Sequence, residues 1–201
     1  NAVIQDLQHA WGLAPESLAY ITSAVQLGFI CGTFTFALLM ISDRFSPRLV
    51  FVICSLAGPA ATFALLLAPP SLAGLLLPRF ATGFFLAGIY PVGMKIAAGW
   101  YREDLGRVLG LLLGALVLGT AFPHLLRSIG ATLPWQQVIF GVSLFAGIGG
   151  AAMLLGVPDG PLIVTGSKFN PRAIGLIFAS SRFRASAFGY FGHMWELYTL
   201  W

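Results

Sequence analysis

Arg79, His193 and Glu196 are ionisable residues set in apolar stretches, and residue types of this kind are the ones able to do chemistry in this chain. His193 and Glu196 lie three residues apart in the mostly apolar segment from Ala185 to Trp201, with Gly189 a turn earlier and Tyr190 beside them. That spacing puts them on one helix face. An ionisable couple there is costly unless it meets a partner or a water-filled cavity. Arg79 shares a helical stripe with Thr82, Gly83, Leu86 and Tyr90. Its guanidinium would attract an anionic group or govern a nearby proton site. Ser23, Gln26 and Thr33 form a third set, within about 80° of one another at 100° per residue. Each pattern is that of a cavity lining.

Each also has a plainer reading. Ser, Thr and Gln in an apolar helix often serve as interhelical hydrogen-bond glue. Arg79 is close enough to a helix end for its stem to carry the charge outward. His124, next to Pro123, reads as an interfacial residue. Cys31 and Cys54 sit in apolar runs without a second Cys or a His at ligand spacing, and read as packing residues. Gly110 and Gly114 form a GxxxG that lets two helix backbones approach closely. Neither a HExxH nor a GxSxG pattern is present. The sequence therefore predicts no enzyme, no metal site and no cofactor.

The elements that must position these residues follow from composition. The chain has 201 residues, 58% hydrophobic and only 9% charged, with a mean hydropathy of +0.87. Soluble domains carry about 25% charged residues, so a soluble surface and intrinsic disorder are both excluded. The 11 basic residues are scattered between apolar runs and form no stripe for nucleic acid. What remains is an all-α integral membrane protein embedded in a lipid bilayer.

A membrane helix needs about 20 apolar residues. Charges and Pro/Gly breaks then predict five complete spans, at residues 16–41, 48–68, 71–94, 105–126 and 135–157, with Pro69-Pro70 as a tight turn. Pro91 should kink the third span, and Asp104 is placed to cap the fourth. A sixth span begins at Ala185 and is cut off. Asn1 and Trp201 read as the ends of a fragment. Nine of the 11 basic residues fall in the loops after spans one, three and five. By the positive-inside rule those loops face the cytoplasm and residue 1 lies outside, which implies a missing first helix.

A tight outer hairpin, a short charged inner loop and a long basic linker resemble the major facilitator superfamily of secondary transporters. The family's inner-loop motif G-x-L-A-D-R-x-G-R-R is matched by residues 39–48, Leu-Met-Ile-Ser-Asp-Arg-Phe-Ser-Pro-Arg, which keep Asp43, Arg44 and Arg48 and replace both glycines. The helix 4 motif L-x-x-x-R-x-x-Q-G is matched at residues 75–83, with Arg79 and Gly83 kept and Thr82 in place of Gln. The antiporter motif of helix 5 is only partly present, through Gly110 and Gly114. The segments Gly88 to Lys95 and Tyr190 to Tyr198 resemble, more weakly, bacterial nitrate/nitrite-porter-like members.

The resemblance implies a partial transporter bundle. Residues 1–157 would be the N-terminal half lacking helix 1, 158–184 the cytoplasmic central loop, and 185–201 the start of helix 7 in the C-terminal half. It implies proton-coupled movement of a small solute, with organic and inorganic anions as candidates, across a bacterial cytoplasmic (inner) membrane by alternating access. Arg79, Tyr90, His193, Glu196 and Gln26 would form the substrate or proton site, with Glu196 titrating. Asp43, Arg44 and Arg48 would form the conformational gate, Asp43 pairing with a helix end and basic groups of the other half. The partners would be the solute, protons, lipid and the rest of the same transporter. Drug or metabolite efflux is the alternative within the fold, and a non-transporting membrane scaffold or receptor-like member the alternative outside it.

Overall fold

The computed structural model describes residues 3–129, 134–163, 166, 175 and 177–200. The chain divides into two compact units, Asn1–Ser167 and Lys168–Trp201. In the first unit α1 is Ile4–Trp11, α2 Ser17–Leu38, α3 Ile41–Arg44 and α4 Pro47–Phe63, which runs on as a 3-10 turn, Ala64–Leu66. Next come α5 (Leu72–Leu86), α6 (Tyr90–Trp100), α7 (Leu105–Ile129) and α8 (Trp135–Gly156). The second unit contains α9, Ser181–Leu200, which starts four residues ahead of the predicted sixth span.

Among the described residues, five stretches are long and apolar enough to cross a membrane: Ser17–Arg44, Pro47–Leu66, Leu72–Trp100, Leu105–Leu126 and Trp135–Gly156. They coincide with the five predicted spans, because charges and prolines mark helix ends in lipid. Local chemistry sets the starts. The Ser46 hydroxyl accepts from Leu49 N at 3.2 Å ahead of Pro47, and the Ser71 hydroxyl accepts from Gly74 N at 3.1 Å. Asp104 opens α7 through its carbonyl, which accepts from Val108 N at 3.1 Å.

The tightest helix crossing is between α2 and α5. A Cβ placed on Gly28 would fall 2.0 Å from the Phe80 carbonyl oxygen, and one on Gly83 would fall 2.0 Å from that of Val25. Ala24 and Gly32 on α2 and Ala87, just past the end of α5, extend this seam of small residues. Lipid offers helices no hydrophobic drive to associate, so close backbone packing must supply the attraction. The GxxxG expected to do this, Gly110 and Gly114, does not: a Cβ on either would meet nothing within 4 Å among the described residues. Those glycines lie on α7, whose span has none of its residues buried.

The third span is broken rather than merely kinked. Pro91 has no N–H for the Ala87 carbonyl, and residues 87–89 form turns between α5 and α6. Lys95, predicted to open the following loop, lies inside α6 as a result. The break separates two apolar clusters. One gathers Val3, Leu7, Ile21, Leu65, Leu75, Val138 and Ile139 near the Pro69 turn. The other gathers Val50, Cys54, Val92 and Ile96 toward the opposite, charged end.

Candidate functional site

A cavity of about 100 Å³ lies in the first cluster. Arg79 lines it, brought there by α5, together with Thr62 from α4. Aliphatic residues close the rest, among them Val3 and Leu7 of α1, Ile21, Leu75 and Ile139. The α1 helix was not foreseen, since eight residues with Gln5, Asp6, Gln8 and His9 read as a polar segment. It ends on Gly12, held at φ 60°, with Leu13 N bonded to Gln8 O at 3.0 Å. Gln8 Nε2 donates to Leu13 O at 3.2 Å, and Trp11 meets the Trp135 ring edge-on at 6.4 Å, fixing α1 against the loop that follows it and the start of α8. Val3 and Leu7 are thereby buried as a stopper over the cavity.

Arg79 is half-buried and makes neither ion pair nor hydrogen bond among the described residues. A guanidinium held this way keeps its full pairing capacity for an anion. Thr62 Oγ1 lies 3.1 Å from Thr82 Oγ1, linking α4 to α5 beside the cavity. Thr82 Oγ1 also donates to Pro78 O at 2.8 Å, and Thr62 Oγ1 to Gly58 O at 3.1 Å.

A polar network closes the charged end. The Asp43 carboxylate pairs with Lys95 Nζ, which also donates to Ser42 O at 2.6 Å. The Asp43 carbonyl accepts from Gly166 N at 2.8 Å. Asp159, in the segment after α8, accepts from the Ser46 hydroxyl and, at 3.0 Å, from Arg48 N, so it caps the first turn of α4. The Arg48 guanidinium donates to Leu154 O. Trp100 Nε1 donates to Pro158 O at 3.1 Å, and Leu162 N to Gly99 O at 3.0 Å, which straps residues 157–163 across the end of α6. Asp43 therefore finds its cation within its own unit.

The remaining predicted residues separate. Gln26 is exposed on α2, whose inward face is instead Ser17, Ile21, Ala24, Gly28 and Gly32. Thr33 is exposed, its hydroxyl returned to Phe29 O at 2.8 Å, and Ser23 lines an outward apolar groove between α2 and α5. Tyr90 lies beyond the helix break, half-buried, and does not line the Arg79 cavity. Arg44 is exposed at the end of α3. His193 and Glu196 are exposed on α9 in the second unit, and no ion pair joins them.

Lys95, Asp159, Trp100 and Thr62 were not singled out in the sequence. Asp159 had a signal, an acidic residue between Pro158 and Gly160 directly after a span. Lys95 had none, because the extent of α6 depends on the break before it.

The sequence matches the Major Facilitator Superfamily over residues 1–201. It is 29% identical over 150 residues to NiaP of Bacillus subtilis (strain 168), provisionally named a niacin/nicotinamide transporter. That alignment takes in 72% of this chain and 36% of the relative, so the chain spans little more than a third of that protein.

Proposed function

The chain belongs to the major facilitator superfamily of secondary transporters, and on that premise we propose that it is the N-terminal portion of a transporter for a small organic solute. Residues 1–157 are read as one half of the bundle without its first helix, 158–184 as the cytoplasmic central loop, and 185–201 as the beginning of the second half. The charged end is assigned to the cytoplasmic face of a bacterial inner membrane by its basic residues. The stopper formed by α1 is assigned to the outer face.

The observation that carries this reading is Arg79, with neither ion pair nor hydrogen bond among the described residues, lining a cavity between helices. Arg79 receives an anionic group of the solute, as a niacin-like carboxylate would supply, in the cavity under the α1 stopper. Asp43, Arg48 and Arg44 act at the charged end as the gate, with Lys95 and Asp159 as the partners of the first two. Glu196, with His193, carries the coupled proton. Alternating access requires only that solute and proton bind one state more tightly than the other.

Uptake by proteoliposomes containing the full-length protein tests the reading. Arg79→Ala is expected to reduce solute uptake by about 100-fold, the loss of a charge-assisted contact of about 1.5–3 kcal/mol. Glu196→Gln is expected to leave binding and remove the dependence on a proton gradient. Uptake unchanged in both variants would exclude these residues from the mechanism.

A further inference from the structure

Resting on the reading of the Arg79 cavity as the solute site, we infer that this cavity selects monocarboxylates with a compact apolar body over isosteric neutral amides and over inorganic anions. The donors decide the head group. Thr82 Oγ1 commits its proton to Pro78 O, and Thr62 Oγ1 has Gly58 O and Thr82 Oγ1 as its acceptors. Neither hydroxyl has a proton left for a ligand, so the Arg79 guanidinium supplies the donors in the cavity. A guanidinium is a fork of N–H donors and matches the two oxygens of a carboxylate. An amide turns its own NH₂ donor toward that fork and pairs through one oxygen only.

Charge and wall decide the rest. One monoanion neutralises Arg79, whereas a dianion such as sulfate would leave a net negative charge inside an aliphatic wall. Nitrate carries one charge but has no apolar body to lay against Leu7, Ile21, Leu65, Leu75, Ile139 and Val142. The cavity, about 100 Å³, admits a carboxylate with a single ring or a short chain and excludes long acyl tails. Polyhydroxylated solutes would leave most of their hydroxyls unpaired against this wall.

The test is equilibrium binding to the purified full-length protein at neutral pH, using nicotinate and benzoate, their isosteric amides nicotinamide and benzamide, and sodium nitrate and sulfate. The acids are expected to bind about tenfold or more tighter than their amides, as a charge-assisted hydrogen bond predicts. Nitrate and sulfate are expected not to displace benzoate at equal concentration. Arg79→Gln should bring acid and amide within about twofold by weakening the acid alone, with a retained melting transition reporting the fold. Arg79→Lys, which keeps the charge without the planar fork, should lower the acid-to-amide ratio by about threefold.

Amides binding as tightly as acids, inorganic anions displacing benzoate at equal concentration, or a ratio unchanged in both variants would overturn the inference. Parallel uptake separates it from the transporter reading. Acid-selective binding without uptake leaves the site standing and removes the transport function. Uptake without acid preference does the reverse.

Discussion

At the charged end of the first unit, Asp43, Lys95, Ser46, Arg48 and Asp159 join α3, α4, α6 and the segment after α8 through polar contacts. At the opposite end α1 is held by the burial of Val3 and Leu7 and by the Trp11–Trp135 edge contact. The two closures suit different tasks. Polar contacts near water exchange at little cost, so a network of them can open and re-form as a latch. Apolar packing excludes water, and a charge kept dry acts strongly on whatever enters. Arg79, unpaired among the described residues, lies at the apolar end and the paired acid at the polar one.

Substitutions can break this contrast, beginning with the seam both ends depend on. Gly28→Val forces side-chain carbons against the Phe80 backbone, where a Cβ alone would sit 2.0 Å from the carbonyl oxygen. It is expected to cost about 3 kcal/mol or more, seen as loss of the monodisperse folded species in detergent. Gly110→Ala, facing open space among the described residues, should leave that species intact.

At the charged end the expected effects are smaller. Asp159→Ala removes the carboxylate at the first turn of α4 and should lower stability by about 1–2 kcal/mol, read from a denaturation midpoint. Smallest is the ion pair. Asp43→Asn and Lys95→Met should each cost about 1 kcal/mol or less, with a double variant less destabilised than the sum of the two. The Asp43→Asn effect should shrink at high salt, because the pair is partly exposed to solvent. An apolar-end variant such as Leu7→Ala should show no such salt dependence. Equal salt dependence at both ends would abolish the distinction drawn between them.

The five spans were legible because charged residues and prolines are admitted between membrane helices far more readily than within them. Arg79 was legible for the same reason, as an exception to that rule. The inward face of α2 was not. Ser23, Gln26 and Thr33 form its polar stripe, yet in lipid it is small residues that mark a packed face, and Gly28 is needed only because the Phe80 backbone, far along the chain, packs against it. Asp159 reaches Arg48 across 111 residues, a pairing that no local pattern encodes. The α1 stopper was missed because its few apolar residues acquire meaning only over a cavity. His193 and Glu196 were singled out by their spacing, and their place in the transport cycle is part of the proposal.

The division of labour between the two ends is tested most directly by measuring binding and uptake side by side in Arg79→Gln and Asp43→Asn versions of the full-length protein. The account predicts that Arg79→Gln weakens carboxylate binding and uptake together, whereas Asp43→Asn still binds the carboxylate as the wild type does but transports it more slowly. Wild-type binding in Arg79→Gln, or lost binding in Asp43→Asn, would contradict it.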